Sequence, residues 1–151
     1  MVKISVSFFF IISFGLFSQT NLSIKNTGVN MTVAILNTDS TVQLGDTIIA
    51  LYKVDDLEYN ESDPYSNPDD YKIAGLTIWN GERLAIALWG NDNTSEMKDG
   101  FYNNEIIHWA IIQNTKYIPI QAVYKLGKNV WEPNGISIVD SIRLAGWIIN
   151  N

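Results

Sequence analysis

The chain has 151 residues, room for about one domain, and 17% of them are charged against an average of about 25%. Ten basic and sixteen acidic residues give a net charge of −6, which argues against a nucleic-acid-binding protein. The chain has no cysteine and its one histidine is His108, which excludes disulfide frameworks, thiolate zinc sites and multi-histidine metal sites.

The first eighteen residues, 1–18, predict a secretory signal peptide. Lys3 precedes an apolar run over Ile4–Phe17, and the small residue Ser18 follows it, as in cleaved signals. The run is about 14 residues long, short of the roughly 20 that a membrane-spanning helix needs. We therefore expect a mature chain that begins at Gln19, contains no transmembrane segment, and is secreted, periplasmic or on the cell surface.

The rest of the chain predicts short strands that are rich in β-branched and aromatic residues and are bounded by Gly, Asn, Asp or Pro. They are Asn30–Leu36, Thr47–Lys53, Tyr71–Trp79, Arg83–Trp89, Glu105–Gln113, Lys116–Lys125 and Ile136–Leu144. The dipeptide Asn80-Gly81 is a strong hairpin signal, and it predicts antiparallel pairing of the third strand with the fourth. We expect an all-β protein, an antiparallel β-sandwich of about seven to eight short strands in a single domain.

This domain is expected to span residues 28–146, after an N-terminal extension (19–27) and before a C-terminal tail (147–151). Within it, an acidic segment (55–70) lies between the second and third predicted strands. The segment has seven acidic residues and no basic one. It is interpreted either as a solvated insertion or as a surface that binds a cation or a partner.

The predicted strand Glu105–Gln113 is apolar on both faces, because Trp109 lies between Ile111 and Ile107 on one face while Ala110 lies on the other. Such a strand is central in its sheet, or its outer face is covered. The chain has five tryptophans, which either fill the core or form a platform for a carbohydrate or protein. They are Trp79, Trp89, Trp109, Trp131 and Trp147.

The loop over residues 90–100 concentrates oxygen-bearing side chains, the ligands that calcium prefers. The candidate ligands are Asp92, Asp99, Asn91 and Asn93, and calcium is the candidate cofactor. In the alternative interpretation, these side chains accept hydrogen bonds from backbone N–H groups, as in Asx turns. The lone histidine is expected to be structural, and no catalytic arrangement is found, so we do not expect an enzyme.

Three short motifs follow one another along the chain: Trp89-Gly90-Asn91-Asp92, Lys98-Asp99-Gly100-Phe101 and Asn134-Gly135-Ile136-Ser137. With them, residues 28–144 resemble a secreted β-rich module that recurs in surface proteins and type IX-exported multidomain proteins of Bacteroidota. The resemblance implies a β-sandwich used as a surface, adhesion or spacer module, without catalytic residues. The chain departs from the module in two ways. Asn91 replaces an aspartate, which weakens a calcium site, and the acidic segment is longer.

The sequence therefore predicts a secreted, non-catalytic binding or structural module whose partner is a protein of the envelope or cell surface, or a glycan. The alternative is a carbohydrate-binding or carbohydrate-active protein that uses exposed tryptophans and acids. Tryptophans lining an open groove beside paired carboxylates would favour the alternative.

Overall fold

The computed structural model describes residue 22, residues 24–54 and residues 70–145. The regular structure of these residues consists of seven strands without an α-helix, which confirms the all-β prediction. The strands are β1 (Asn30–Ile35), β2 (Thr47–Lys53), β3 (Tyr71–Ile78), β4 (Leu84–Trp89), β5 (His108–Gln113), β6 (Lys116–Leu126) and β7 (Ile136–Leu144). Each overlaps a predicted strand, and β2 and β7 have the predicted bounds.

The seven strands form one mixed sheet in the order β3-β2-β5-β6-β7-β1-β4. Neighbouring strands are antiparallel except β1 and β7, which pair in parallel. The two edge strands, β3 and β4, approach each other, so that the sheet is nearly closed into a barrel. The predicted sandwich of antiparallel sheets is therefore not confirmed, because the core lies inside one curved sheet that includes a parallel pair.

The predicted hairpin between β3 and β4 is wrong, although its turn exists. Gly81 has a φ of 85° and Asn80 Oδ1 accepts a hydrogen bond from the Glu82 N–H at 3.0 Å. However, β3 pairs with β2 and β4 pairs with β1. The backbone of Trp79 explains the difference, because its N–H and C=O bond to Asp46 and Gly45 at 2.9 Å each, which continues the pairing toward β2.

The main core lies on the concave face of the sheet. Trp109, Ile107 and Ile111 of the β5 region are at most 2% exposed and belong to this core. On the opposite face of β5, Ala110 is fully buried in a second, smaller cluster with Ile49 of β2. The position of β5 between β2 and β6 confirms that it is a central strand.

Several predicted segments lie outside the described residues: the signal peptide, most of the acidic segment (55–69) and residues 146–151. The last residue of the acidic segment lies next to the residue that precedes the segment, because the Val54 N–H donates to the Asp70 carbonyl at 2.8 Å. Within the described ranges, no helix is long and apolar enough to cross a membrane.

Candidate functional site

The two ends of the 90–100 loop are hydrogen-bonded to each other through their backbones, so the side chains of the loop lie close together. The Asn91 N–H donates to the Phe101 carbonyl at 2.7 Å, and the Phe101 N–H donates to the Trp89 carbonyl at 3.1 Å. Two glycines permit this close approach. A Cβ atom on Gly100 would lie 2.2 Å from the carbonyl oxygen of Gly90.

Three of the four predicted ligands come together within the loop. Asp99 Oδ1 accepts a hydrogen bond from the Asp92 N–H at 2.8 Å, and Asn91 Oδ1 accepts one from the Asp99 N–H at 2.9 Å. Asp92 Oδ1 accepts from the N–H and the hydroxyl of Thr94, at 2.9 and 2.7 Å. The fourth predicted ligand, Asn93, is exposed. The bond from the Thr94 N–H to Asp92 Oδ1 has the form of an Asx turn, whereas the other two backbone N–H groups bond to side chains seven and eight positions away.

A lysine from the N-terminal extension completes the arrangement. The Lys25 ammonium forms an ion pair with Asp99 Oδ2, and the Thr27 hydroxyl donates to the Gly90 carbonyl at 2.5 Å. The sequence provided no signal for the ion pair, because its partners are 74 positions apart. The N-terminal extension is thus attached to the loop at two points.

The two aspartates of the loop are held in their ionised forms. Burial would raise the pKa of Asp99, but the Lys25 ammonium and the Asp92 N–H outweigh it, and the pKa lies below its ordinary value. The hydroxyl and N–H of Thr94 lower the pKa of Asp92. The contact with Asp99 raises the pKa of Lys25.

These contacts define what a cation would have to displace. A calcium ion bound between Asp92 and Asp99 would compete with the Lys25 ammonium for Asp99 Oδ2. The described residues contain no group of three or more His, Cys, Asp or Glu side chains that could hold a metal. Calcium binding by Asp92, Asp99, Asn91 and Asn93 stays a prediction.

Beside the loop lies an open groove of about 860 Å³. Its walls are the loop, the start of β3, the end of β2 and the N-terminal extension. Seven of its thirteen lining residues are apolar or aromatic and six are polar or charged. The most exposed of the apolar side chains is Met97, at 75%. The lining residues are Leu22, Ile24, Lys25, Tyr52, Tyr71, Lys72, Ile73, Leu76, Ser95, Glu96, Met97, Lys98 and Asp99.

The loop is attached to the rest of the fold by an ion pair that sequence reasoning did not identify. Lys98 Nζ lies 2.8 Å from Glu105 Oε1 and 2.5 Å from the Lys53 carbonyl. Both side chains are largely buried, at 11% and 15% exposure. Glu105 also accepts the N–H groups of Lys53 and Tyr102. The Lys98 ammonium lies 5.4 Å from the ring centre of Tyr52.

Tyr52, behind one wall of the groove, is only 3% exposed. Burial raises the pKa of Tyr52 to about 12, and its hydroxyl lies 3.4 Å from the Lys98 carbonyl. Tyr71, on β3, packs edge-on against the lone histidine, His108, with 4.9 Å between the ring centres. Burial lowers the pKa of His108, as expected of a structural histidine.

None of the four tryptophans among the described residues lines the groove. Trp79, Trp109 and Trp131 are at most 7% exposed, which confirms that they fill the core. The Trp131 indole N–H donates to the Leu88 carbonyl at 2.8 Å. Trp89 is half-buried, and Trp147 lies outside the described residues.

No protein-family model, curated protein or solved structure matches the chain. The resemblance to the Bacteroidota module therefore stays a prediction.

Proposed function

We propose that this chain is a secreted, non-catalytic binding or structural module, and that the groove beside the 90–100 loop is its contact surface. The observation that carries this proposal is the contrast between two groups of side chains. Asp92, Asp99 and Lys98 hold the loop through hydrogen bonds and ion pairs. Met97, by contrast, extends into solvent beside the groove. The loop thus supplies a rigid support for an exposed apolar contact.

The proposed partner is a protein of the cell envelope or surface, as in an adhesion or surface-accessory module. Aromatic residues and methionine are enriched at protein–protein interfaces, and Tyr71, Leu76 and Met97 provide such a surface here.

The carbohydrate alternative has less support. Three of the tryptophans on which it depended, Trp79, Trp109 and Trp131, are buried and absent from the groove lining. Of the two tyrosines that line the groove, Tyr52 is only 3% exposed, so Tyr71 is the aromatic ring left there for a sugar to contact. The carboxylate of Asp99, which also lines the groove, is paired with Lys25.

The binding proposal is tested with two matched substitutions. Met97 and Leu44 are similarly exposed, at 75% and 73%, but only Met97 lines the groove. Immobilised wild-type protein, Met97→Glu and Leu44→Glu are incubated with detergent-solubilised envelope proteins and, separately, with surface glycans. We expect an envelope protein that wild type and Leu44→Glu retain and Met97→Glu loses. Equal retention by all three would contradict the proposal, and retention of a glycan alone would favour the alternative.

Secretion is a separate part of the proposal and has its own test. Cleavage after Ser18 would leave Gln19 as the first residue of the protein found outside the cytoplasm. The intact mass of protein from the extracytoplasmic fraction should correspond to a chain that begins there. A full-length protein that retains Met1 in the inner membrane would contradict this part of the proposal.

A further inference from the structure

The chain contains two Asn-Gly dipeptides in exposed turns, Asn80-Gly81 and Asn134-Gly135. Both asparagines are exposed, and the sequence alone does not distinguish them. Asn-Gly is the dipeptide in which the following backbone nitrogen most readily attacks the asparagine side chain, because glycine has no Cβ to obstruct the approach. The structure gives the two dipeptides different environments.

At Asn80, the reacting groups are accessible. Asn80 Oδ1 accepts a hydrogen bond from the Glu82 N–H at 3.0 Å, which draws electrons away from the side-chain carbonyl carbon. Among the described residues, no acceptor is found for the N–H of Gly81. Gly81 is also exposed, with a φ of 85°. Its nitrogen can therefore lose its proton to solvent and approach the side chain.

At Asn134, three backbone hydrogen bonds hold the same groups in place. The N–H of Gly135 donates to the Glu132 carbonyl, and its C=O accepts from Thr32, both at 2.9 Å. The N–H of Asn134 donates to the Asn30 carbonyl at 2.9 Å. Before the Gly135 nitrogen could attack, its hydrogen bond to the Glu132 carbonyl would have to break. The backbone would also have to rotate against the hydrogen bonds to Asn30 and Thr32.

We propose that Asn80 is a site of spontaneous deamidation in the folded protein, and that the fold protects Asn134. The Gly81 nitrogen gives its proton to solvent and bonds to the side-chain carbon of Asn80. The side-chain nitrogen takes up a proton from solvent and leaves as ammonia. The product is a cyclic succinimide. One water molecule then opens either of its two C–N bonds to the former Asn80 carbons, which gives aspartate or isoaspartate.

The modification would change the connection between β3 and β4. Either product adds a negative charge beside Glu82 in a chain that is already acidic. Isoaspartate also inserts one extra carbon into the backbone next to Trp79, whose backbone groups bond to Gly45 and Asp46. The modified turn would therefore present a different surface between the two edge strands.

The test compares the two sites in one molecule. Folded wild-type protein is incubated in mildly alkaline buffer, and peptide mapping by mass spectrometry follows deamidation and isoaspartate at each asparagine. We expect Asn80 to react about tenfold faster than Asn134, which corresponds to a barrier difference of about 1.4 kcal/mol.

The same measurement in concentrated urea is the control. Once the hydrogen bonds of Gly135 are lost, the two sites should react at similar rates. Equal rates in the folded protein would overturn the proposal. A difference that persists unchanged in urea would also overturn it, because the neighbouring sequence and not the fold would then be responsible.

Discussion

Gly90 lies directly beneath the indole ring of Trp131, and this contact explains why the motif Trp89-Gly90-Asn91-Asp92 has a glycine at its second position. A Cβ atom on Gly90 would lie 2.3 Å from Trp131 Cη2, far inside contact distance. Trp131 in turn stacks on Phe101, with ring centres 6.4 Å apart and planes 11° apart. Gly100 packs against the Gly90 backbone, so packing requires both glycines of the loop motifs.

The ion pair between Lys98 and Glu105 is expected to be the main attachment of the loop. Glu105→Gln preserves the shape of the side chain but leaves the largely buried Lys98 ammonium without its charge partner. Breaking a buried pair by removing one charge is strongly destabilising, and we expect a loss of about 3 kcal/mol. The midpoint and slope of urea unfolding measure it.

The second ion pair of the loop provides the control. Lys25 is 57% exposed in its pair with Asp99, and exposed pairs contribute little to stability. Lys25→Ala should therefore leave the urea midpoint almost unchanged. Combining Lys98→Met with Glu105→Gln should recover part of the loss, because the unpaired charge is then removed. If the Glu105 and Lys25 variants unfold at the same midpoint, Lys98 and Glu105 do not anchor the loop.

His108 is expected to make stability depend on pH. Burial lowers its pKa in the folded state below the ordinary value of 6.5. Between the folded and unfolded pKa values, the unfolded chain binds more protons, so stability rises with pH in that window. The urea midpoint of wild type should thus rise as the pH is raised toward 6.5, and that of His108→Gln should rise less. Equal slopes in the two proteins would mean that His108 does not titrate on unfolding.

At the scale of elements, the strands could be predicted because their signal is local. The run Thr47–Lys53 is β-branched and apolar and begins after a turn, and all of it forms β2. The pairing of strands could not be predicted in the same way, since it depends on distant partners. Asn80-Gly81 predicted the turn correctly, but the backbone bonds of Trp79 to Asp46 decided that β3 pairs with β2.

The 90–100 loop shows the same division between local and distant information. Both interpretations of Asp92 and Asp99 followed from composition and spacing, and an Asx turn is present at Asp92, whose Oδ1 accepts the Thr94 N–H. The contribution of Lys25 was not predictable, because nothing near it in sequence points to this loop. Likewise, the pairing of Lys98 with Glu105 was not predictable, since an ion pair between residues seven positions apart has no sequence signature outside a helix.

Calcium binding is tested most sharply by removing the competing ammonium. If calcium binds Asp92 and Asp99, its affinity should be weak, with a dissociation constant of roughly 10⁻⁴–10⁻³ M, and Lys25→Ala should bind more tightly. Millimolar calcium should then raise the melting temperature of Lys25→Ala more than that of wild type. The Asp92→Ala, Asp99→Ala double variant should show no shift. Melting temperatures that are the same in calcium and chelator for all three proteins would contradict a calcium site.

At the scale of the whole molecule, the sheet closes where β3 and β4 meet. A Cβ atom on Gly75 of β3 would lie 2.4 Å from Leu88 Cδ2 and 2.8 Å from the Ala87 carbonyl oxygen, both on β4. The closure thus depends on the absence of a side chain at one position. The need for a glycine at position 75 could not be predicted from the apolar pattern of the strands or from the short connection between them. It arises only from the contact between the two edge strands.

Enlarging Gly75 is therefore expected to open the contact between the edge strands. In Gly75→Val, the new side chain meets backbone as well as side-chain atoms, and overpacking of this kind costs about 1–3 kcal/mol. The matched control is Ala87→Val on the facing strand, where Ala87 is exposed and the added methyl groups enter solvent. Gly75→Val should lower the urea midpoint and speed amide hydrogen exchange in β3 and β4 while leaving β5 and β6 protected, and Ala87→Val should do neither. Exchange that accelerates equally in all four strands would mean that the contact between β3 and β4 opens only when the whole sheet unfolds.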